Sequence, residues 1–332
     1  MFKKILIALV IFSAGLYFLL NSPRAGEKII PKIIILFLTD ARLSGFTIEG
    51  QQFHFLSRMD MQNVRFSVYF EKEQYDVVIR DARLDASDLF GSPEHKIHLD
   101  ISGIDIRSSE INVENMALQL DISAAYRNIK GVIEAQKAVA REYRLDAVRA
   151  KFVAGRQDME LYDFFAEFYG GQLAGQVLMD YTDEFSYIAR MKVLDADLGR
   201  MREINPDVFS KIEGKIKGDA VIVGNQGQLQ SFDAGFDVPR GGMIQANVLA
   251  DVVTHVPAGT QQREELQQLI TRNGFISLDK AVLKIESLSD EKLIVRLNLL
   301  SNEFNLAPNY TIEINIEGGL LNLLRQLRKI SL

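Results

Sequence analysis

Two-residue alternation of apolar and polar side chains, repeated along most of the chain, restricts its fold more than any other feature. Ile97, Leu99 and Ile101 alternate with Lys96, His98 and Asp100, and Met116, Leu118, Leu120 and Ile122 alternate with Ala117, Gln119, Asp121 and Ser123. A period of two sends successive side chains to opposite faces of a strand, so each such strand has one dry face and one wet face. Weaker versions recur at 75–86, 129–138, 143–152, 229–238, 244–252, 276–285, 293–299 and 310–316. With few helices between them, these runs predict a long antiparallel meander. One-sided apolar strands need their dry face covered, either by a second sheet or by a foreign apolar body such as acyl chains, and alternation alone does not separate the two.

The stretch 157–224 carries the most distinctive punctuation. At its centre stand Phe168, Tyr169, Gly170, Gly171, Gln172, Leu173, Ala174 and Gly175, and Leu173, Gly175, Val177, Met179 and Tyr181 then fall on one face. Two strands joined by a Gly-Gly turn are expected here. A strand over 184–193 follows, then a short helical piece opening at Asp195 or Asp197, then Gly214, Gly218 and Gly224 punctuating Ile212, Ile216, Ala220 and Ile222. Asp195 and Asp197 have the spacing of a metal pair. They precede Leu198, Met201 and Ile204, however, where a helix start needs an acceptor and favours a carboxylate, so capping is the expected role. A later helix is expected after Thr260 as N-cap, with an apolar stripe of Leu266, Leu269 and Ile270 and a stop at Asn273-Gly274.

The two ends read differently from the body. Lys3 and Lys4 precede an uncharged apolar run over 5–20 that includes Ile5, Leu9, Phe12, Leu16 and Leu20. As helix it measures about 24 Å, near the lower limit for a bilayer core about 30 Å thick. Asn21 to Gly26 offers no small-x-small cleavage pair. A signal anchor over 1–26 is therefore expected, retained as a single pass of the inner membrane, with the lysines in the cytoplasm and the body in the periplasm. Residues 27–42, whose short apolar run is broken by Pro31 and Lys32, read as an amphipathic juxtamembrane segment. One exported β domain over 43–318 follows, without a Pro-rich or Ser-rich linker. Residues 319–332 read as an amphipathic helix, with Leu320, Leu323, Leu324, Leu327 and Ile330 opposite Arg325, Arg328 and Lys329. It either caps the open end of a sheet or docks on another envelope protein or an anionic leaflet.

Chemistry is sparse. Cysteine is absent, which removes disulfides, thiolate metal sites and cysteine nucleophiles. Apart from Lys3 and Lys4, 36 basic side chains stand against 44 acidic ones, a balance that argues against a nucleic-acid partner. His95 and His98 are three apart in a strand and so lie on opposite faces, while His54 and His255 are solitary. Neither a dinucleotide fingerprint, a P-loop nor a Gly-x-Ser-x-Gly elbow occurs. No catalytic residue, metal or cofactor is expected, and an enzyme is the least supported class.

The run Phe168-Tyr169-Gly170-Gly171-x-Leu173-x-Gly175, the strand leading into Leu194, Asp195, Ala196, Asp197 and Leu198, and Gly214-x-Ile216-x-Gly218 with Gly224 resemble the AsmA-like family of bacterial envelope proteins, whose larger relatives include TamB. The anchor leading into 43–68, with Met61, Gln62, Asn63 and Val64 in a strand, is similar to how those proteins begin. The resemblance implies a mainly β fold: a membrane helix, then a long antiparallel meander curved into an apolar groove, with a few short helices. It also implies a role in holding or transferring phospholipid between membranes or in outer-membrane assembly. Leu99, Ile101, Met116, Leu118, Leu120, Ile122, Leu173, Val177 and Met179 are then the expected groove lining, in contact with acyl chains. The other reading is a scaffold of the envelope that holds no lipid, such as a component similar to the N protein of type II secretion systems.

Overall fold

The computed structural model describes residues 42–315, apart from 55–57, 71–72, 88–95, 124–128, 141–142, 183–184, 226–227, 251–252, 254–257, 290–291, 305–306 and four single positions. The expected anchor with Ile5, Leu9, Phe12, Leu16 and Leu20, nearly all of the juxtamembrane segment and the terminal amphipathic helix lie outside the described residues, as do His95 and His255. Among the described residues no helix is long and apolar enough to cross a membrane. The described chain is mainly β, an antiparallel meander of seventeen strands with one regular helix. It divides between Leu161 and Tyr162 into two compact units.

In the first unit, β1 (Arg42–His54), β2 (Arg58–Phe70), β3 (Glu73–Asp85), β4 (Lys96–Arg107), β5 (Ile111–Ser123), β6 (Ile129–Ala140) and β7 (Tyr143–Ala154) each pair antiparallel with the next. Their register lines the apolar positions up in rows across the strands. One row runs Met59, Leu84, Leu99, Leu120, Gly131, Phe152, the next Met61, Ala82, Ile101, Leu118, Ile133, Ala150, and a third Val64, Ile79, Ile104, Met116, Ala135, Val148. Directly opposed apolar side chains are the unit of sheet stabilisation, and a slip of one residue would turn every one of these to the wet face. Phe152, fully buried, lies over Gly131, where a Cβ would stand 2.5 Å from the ring.

Between the second and third rows the alternation slips by one residue in strand after strand. Asn63 in β2, Gly103 in β4, Asn115 in β5 and Ala147 in β7 all have φ between 48° and 64°. Arg80 lies opposite Gly103, and its aliphatic stem covers that glycine. A residue in the left-handed conformation adds one position to its strand without reversing the face on which the next apolar residue emerges, and it increases local twist and bending. Asp105 takes up one amide freed at this slip, accepting from the Asn115 N–H at 2.8 Å while its other oxygen stands 3.3 Å from Arg80 Nη2.

β8 (Asp158–Phe168) spans the division, and the second unit continues with β9 (Gly171–Asp180), β10 (Ser186–Asp197), β11 (Ile212–Asn225), β12 (Gln228–Asp237), β13 (Gly242–Gln245), β14 (Phe275–Leu278), β15 (Lys280–Ser289), β16 (Lys292–Leu300) and β17 (Asn309–Asn315). The turn between β8 and β9 is Tyr169-Gly170, with φ of 45° and 76°, rather than the glycine pair. Two positive φ values are what a two-residue hairpin of right-handed strands requires. Gly171 instead opens β9 against the backbone of Leu194 to Ala196, where a Cβ has no space.

Two of the expected strands are divided. The run 244–252 is strand only to Gln245 and then turns as the short helix Ala246–Leu249. The run 276–285 breaks at Asp279, which lets β14 pair with β13 while β15 pairs with β12. Helix α1 (Gln261–Thr271) is as expected: the Thr260 hydroxyl accepts from the Arg263 N–H, Leu266 is fully buried, and Asn273, at φ 50°, reverses the chain while the Gly274 N–H bonds the Leu269 carbonyl at 2.7 Å. α1 and β13–β14 share a compact core of Ile244, Ala246, Leu266, Ile276, Leu278 and Leu299.

Candidate functional site

The nine residues expected to line a groove fall in two settings. Leu99, Ile101, Met116, Leu118, Leu120 and Ile122 lie on β4 and β5 of the first unit, Leu99 opposite Leu120, Ile101 opposite Leu118, Met116 opposite Ile104 and Ile122 opposite Ile97, and none is more than 8 % exposed. They are enclosed by protein atoms. Leu173, Val177 and Met179 lie on β9 of the second unit and are only half-buried.

The second-unit face can be traced row by row. Met179 stands opposite Tyr187 and, beyond it, Gly224; Val177 opposite Ala189, Ile222 and Phe232. Gly175 leads through Met191, Ala220 and Ala234 to Ile285 and Val295, and Leu173 through Val193, Gly218 and Phe236 to Leu283 and Leu297. At roughly 3.3 Å per residue the rows cover about 20 Å along the strands, and at about 4.8 Å per strand they cover about 24 Å across them. Of the larger side chains in this field only Val193 and Ile285 are buried; the others keep part of their surface accessible.

Three glycines in the field are places where a neighbour's side chain lies across the backbone. A Cβ at Gly175 would meet Met191 Sδ at 2.6 Å, at Gly218 the Phe236 ring at 2.5 Å, and at Gly224 the Tyr187 hydroxyl at 2.6 Å. In every case the covering residue is the direct cross-strand partner. A large side chain folded over a glycine restores the lost contact and lets the strands bend toward that face. The series of glycines in the sequence is thus a packing device.

The ends of the field differ. At the Leu173 end, Ala281, Ile212 and Leu297 pack against the core formed by α1 and β13–β14. At the Met179 end, Tyr181 and Phe185 stack with ring centroids 5.8 Å apart, and Phe185 lies 5.9 Å from Tyr187. The Tyr181 hydroxyl donates to Met179 Sδ at 3.3 Å. Burial holds the Tyr187 phenol above its usual value, so this hydroxyl stays protonated at neutral pH.

Charged residues occupy the opposite faces. His98 stands 2.6 Å from Asp121 on the wet side of β4–β5. The expected helix start at Asp195 or Asp197 lies later: both are within β10, and the short helix Arg200–Glu203 opens at Gly199 without a side-chain cap, so Asp197 instead closes the turn after β10, accepting from the Gly199 N–H at 2.8 Å, while Asp195 is a left-handed residue that faces Lys217 at 3.5 Å. Among the described residues no group of three His, Asp or Glu side chains is placed to hold a metal ion. Sequence reasoning missed Phe232, Phe236, Leu283 and Val295 as members of the face, although Phe232, Ala234 and Phe236 alternate and could have been added by the same rule. No protein-family model, curated protein or solved structure matches the chain.

Proposed function

We propose that this is an envelope protein, anchored by residues 5–20 in the inner membrane with its β body in the periplasm, that holds phospholipid acyl chains and takes part in their transfer between membranes or in outer-membrane assembly. The observation that carries the reading is the half-buried apolar face of β9–β12, β15 and β16, built from Leu173, Val177, Met179, Phe232, Leu283 and Val295 without a charged side chain in its rows. A dry face of this extent, left partly accessible, suits an elongated apolar ligand. The motif resemblance to AsmA-like proteins points the same way and supplies the envelope location. The curved groove and the single-pass anchor belong to this proposal too.

The sealed face of the first unit favours a different role for that part. Side chains at 0 to 2 % exposure, such as Leu99, Ile101, Leu118 and Leu120, behave as an ordinary core, so the first unit serves as a rigid scaffold and the lipid-holding surface is assigned to the second unit. The test is to purify the full chain in mild detergent and quantify bound phospholipid by mass spectrometry, with photo-crosslinkers at Val177 and at Gln176. Stoichiometric lipid and labelling from Val177 alone are expected. Absence of both would leave the scaffold reading for the whole chain.

A further inference from the structure

The three sequence pieces that drew attention as glycine motifs meet in space at the end of β10, away from the apolar rows. The Asp197 N–H donates to the Tyr169 carbonyl at 3.0 Å, and the Leu198 N–H to the Gly214 carbonyl at 3.0 Å. The post-β10 turn and the start of β11 wall an open cleft of about 390 Å³ whose lining includes Asp197, Gly199, Arg200, Arg202, Glu213 and Lys215, with the hairpin turn packed behind Arg200. This is the size range of a small-molecule site.

The charges in the cleft are unequal in their engagement. Asp197 Oδ1 is occupied by the amides of Gly199, at 2.8 Å, and Arg200, at 3.4 Å. Glu213 faces Arg202 at 3.5 Å, a long ion pair between half-exposed groups. Among the described residues, Arg200 and Lys215 make no ion pair and no side-chain hydrogen bond. Arg200 is nevertheless held in place: its guanidinium lies over the turn glycine, where a Cβ at Gly170 would come within 2.9 Å of Nη1. Lys215 is the direct cross-strand partner of Asp197, which fixes its position across from the turn. Two uncommitted cations, one a positioned guanidinium with its fork of donors, with a third cation only weakly neutralised, make a site for an anion with several acceptor oxygens.

We propose that this cleft binds a phosphate group, either free or as the phosphodiester of a lipid headgroup, with Arg200 and Lys215 as the primary contacts and Arg202 as a third contact released from Glu213. The assignment does not rest on the acyl-chain reading. It would stand if the second-unit face held no lipid.

Calorimetric titration of the full chain tests it, with inorganic phosphate and with glycerophosphoglycerol, the deacylated headgroup of phosphatidylglycerol, as separate probes. Saturable one-to-one binding in the millimolar range or tighter is expected, weakening with added salt. Arg200→Gln combined with Lys215→Gln should weaken it by about tenfold or more, and Glu213→Gln should tighten it by freeing Arg202. Because the two substituted cations are exposed and unpaired, an unchanged melting temperature serves as the folding control. Tighter binding of the diester identifies a lipid headgroup as the source, and tighter binding of inorganic phosphate identifies a free phosphate. The proposal is overturned if neither probe binds saturably, or if the double substitution leaves binding unchanged.

Discussion

Tyr187 covers the backbone of Gly224, its direct partner across β10 and β11, and a Cβ at position 224 would stand 2.6 Å from the phenol oxygen with the ring carbons closer still. The same relation holds between Phe152 and Gly131, Met191 and Gly175, and Phe236 and Gly218. Each glycine is required by the side chain that lies on it.

Stability should therefore respond to these positions according to the space above them. At Gly218 an added methyl meets both Phe236 and the Gly235 carbonyl, whereas at Gly235 nothing lies within 4 Å. Gly218→Ala is expected to cost about 1–3 kcal/mol as overpacking, and Gly235→Ala to be neutral or to stabilise by up to about 1 kcal/mol through the unfolded chain. Urea denaturation of the two variants checks this; equal effects would show that the covering side chain moves aside freely.

The left-handed residues in the strands make a second prediction. Ala147 holds φ 48° without the local hydrogen bonding that helps asparagine there, a conformation costing an alanine about 1–2 kcal/mol. Ala147→Gly relieves that strain against an entropy loss of about 0.5–1 kcal/mol, so the variant should be at least as stable as the parent, while Ala147→Val should lose more than about 1 kcal/mol. A glycine variant clearly less stable than the parent would argue against a left-handed residue at this slip.

The outer face of β2–β3 predicts an acid response. Burial acts to raise the pKa of Asp60, but it is outweighed by hydrogen bonds and charge from Arg58, at 3.1 Å, and Arg83, at 3.0 Å, so the carboxyl is held below its ordinary value. A depressed folded pKa gives stability that is present above the unfolded value, near pH 4, and is lost as pH falls through the folded one. Stability should decline from about pH 4 downward, and Asp60→Asn should flatten that part of the profile while lowering stability at neutral pH. Chemical denaturation between pH 3 and pH 7 measures both; an unchanged acid slope in the variant counts against the pairing.

The two apolar faces separate under one kind of substitution. Leu120 is 2 % exposed, and Leu120→Glu buries an unpaired charge at a cost of several kcal/mol against a total stability of about 5–15 kcal/mol, so the chain should fail to accumulate folded. Val177 is half-buried in the accessible field, where a carboxylate can reach water; Val177→Glu should fold and lose bound phospholipid. Circular dichroism and lipid quantification on both proteins decide the matter. Folded Leu120→Glu protein would move the accessible face into the first unit.

Much of this architecture was written in short-range pattern. Alternation at 97–101 and 116–122 assigned the dry face of β4 and β5 correctly, because side-chain direction along a strand depends on nothing beyond the backbone pleat. Thr260, Leu266 and Asn273-Gly274 placed α1 for a similar reason: caps and stops are satisfied within a few residues. Alternation looked weak elsewhere because it slips. Tyr75 and Ile79 share a face with Ala82 and Leu84, and Ile101 shares one with Ile104, which no fixed period describes.

What only the tertiary structure decided follows from contacts distant in sequence. Whether Tyr169 or Gly171 turns the hairpin depends on the strand 194–196 that closes over Gly171. The break at Asp279 depends on β12 and β13 claiming different partners. Leu118 and Val177 read alike as alternating apolar residues, yet one is sealed and the other half-open, since periodicity states which face is dry and nothing about what covers it. The meeting of Tyr169-Gly170, Asp197 and Gly214 around Arg200 and Lys215 likewise arises from strand pairing across some forty residues, and a chain read one residue after another contains no trace of it.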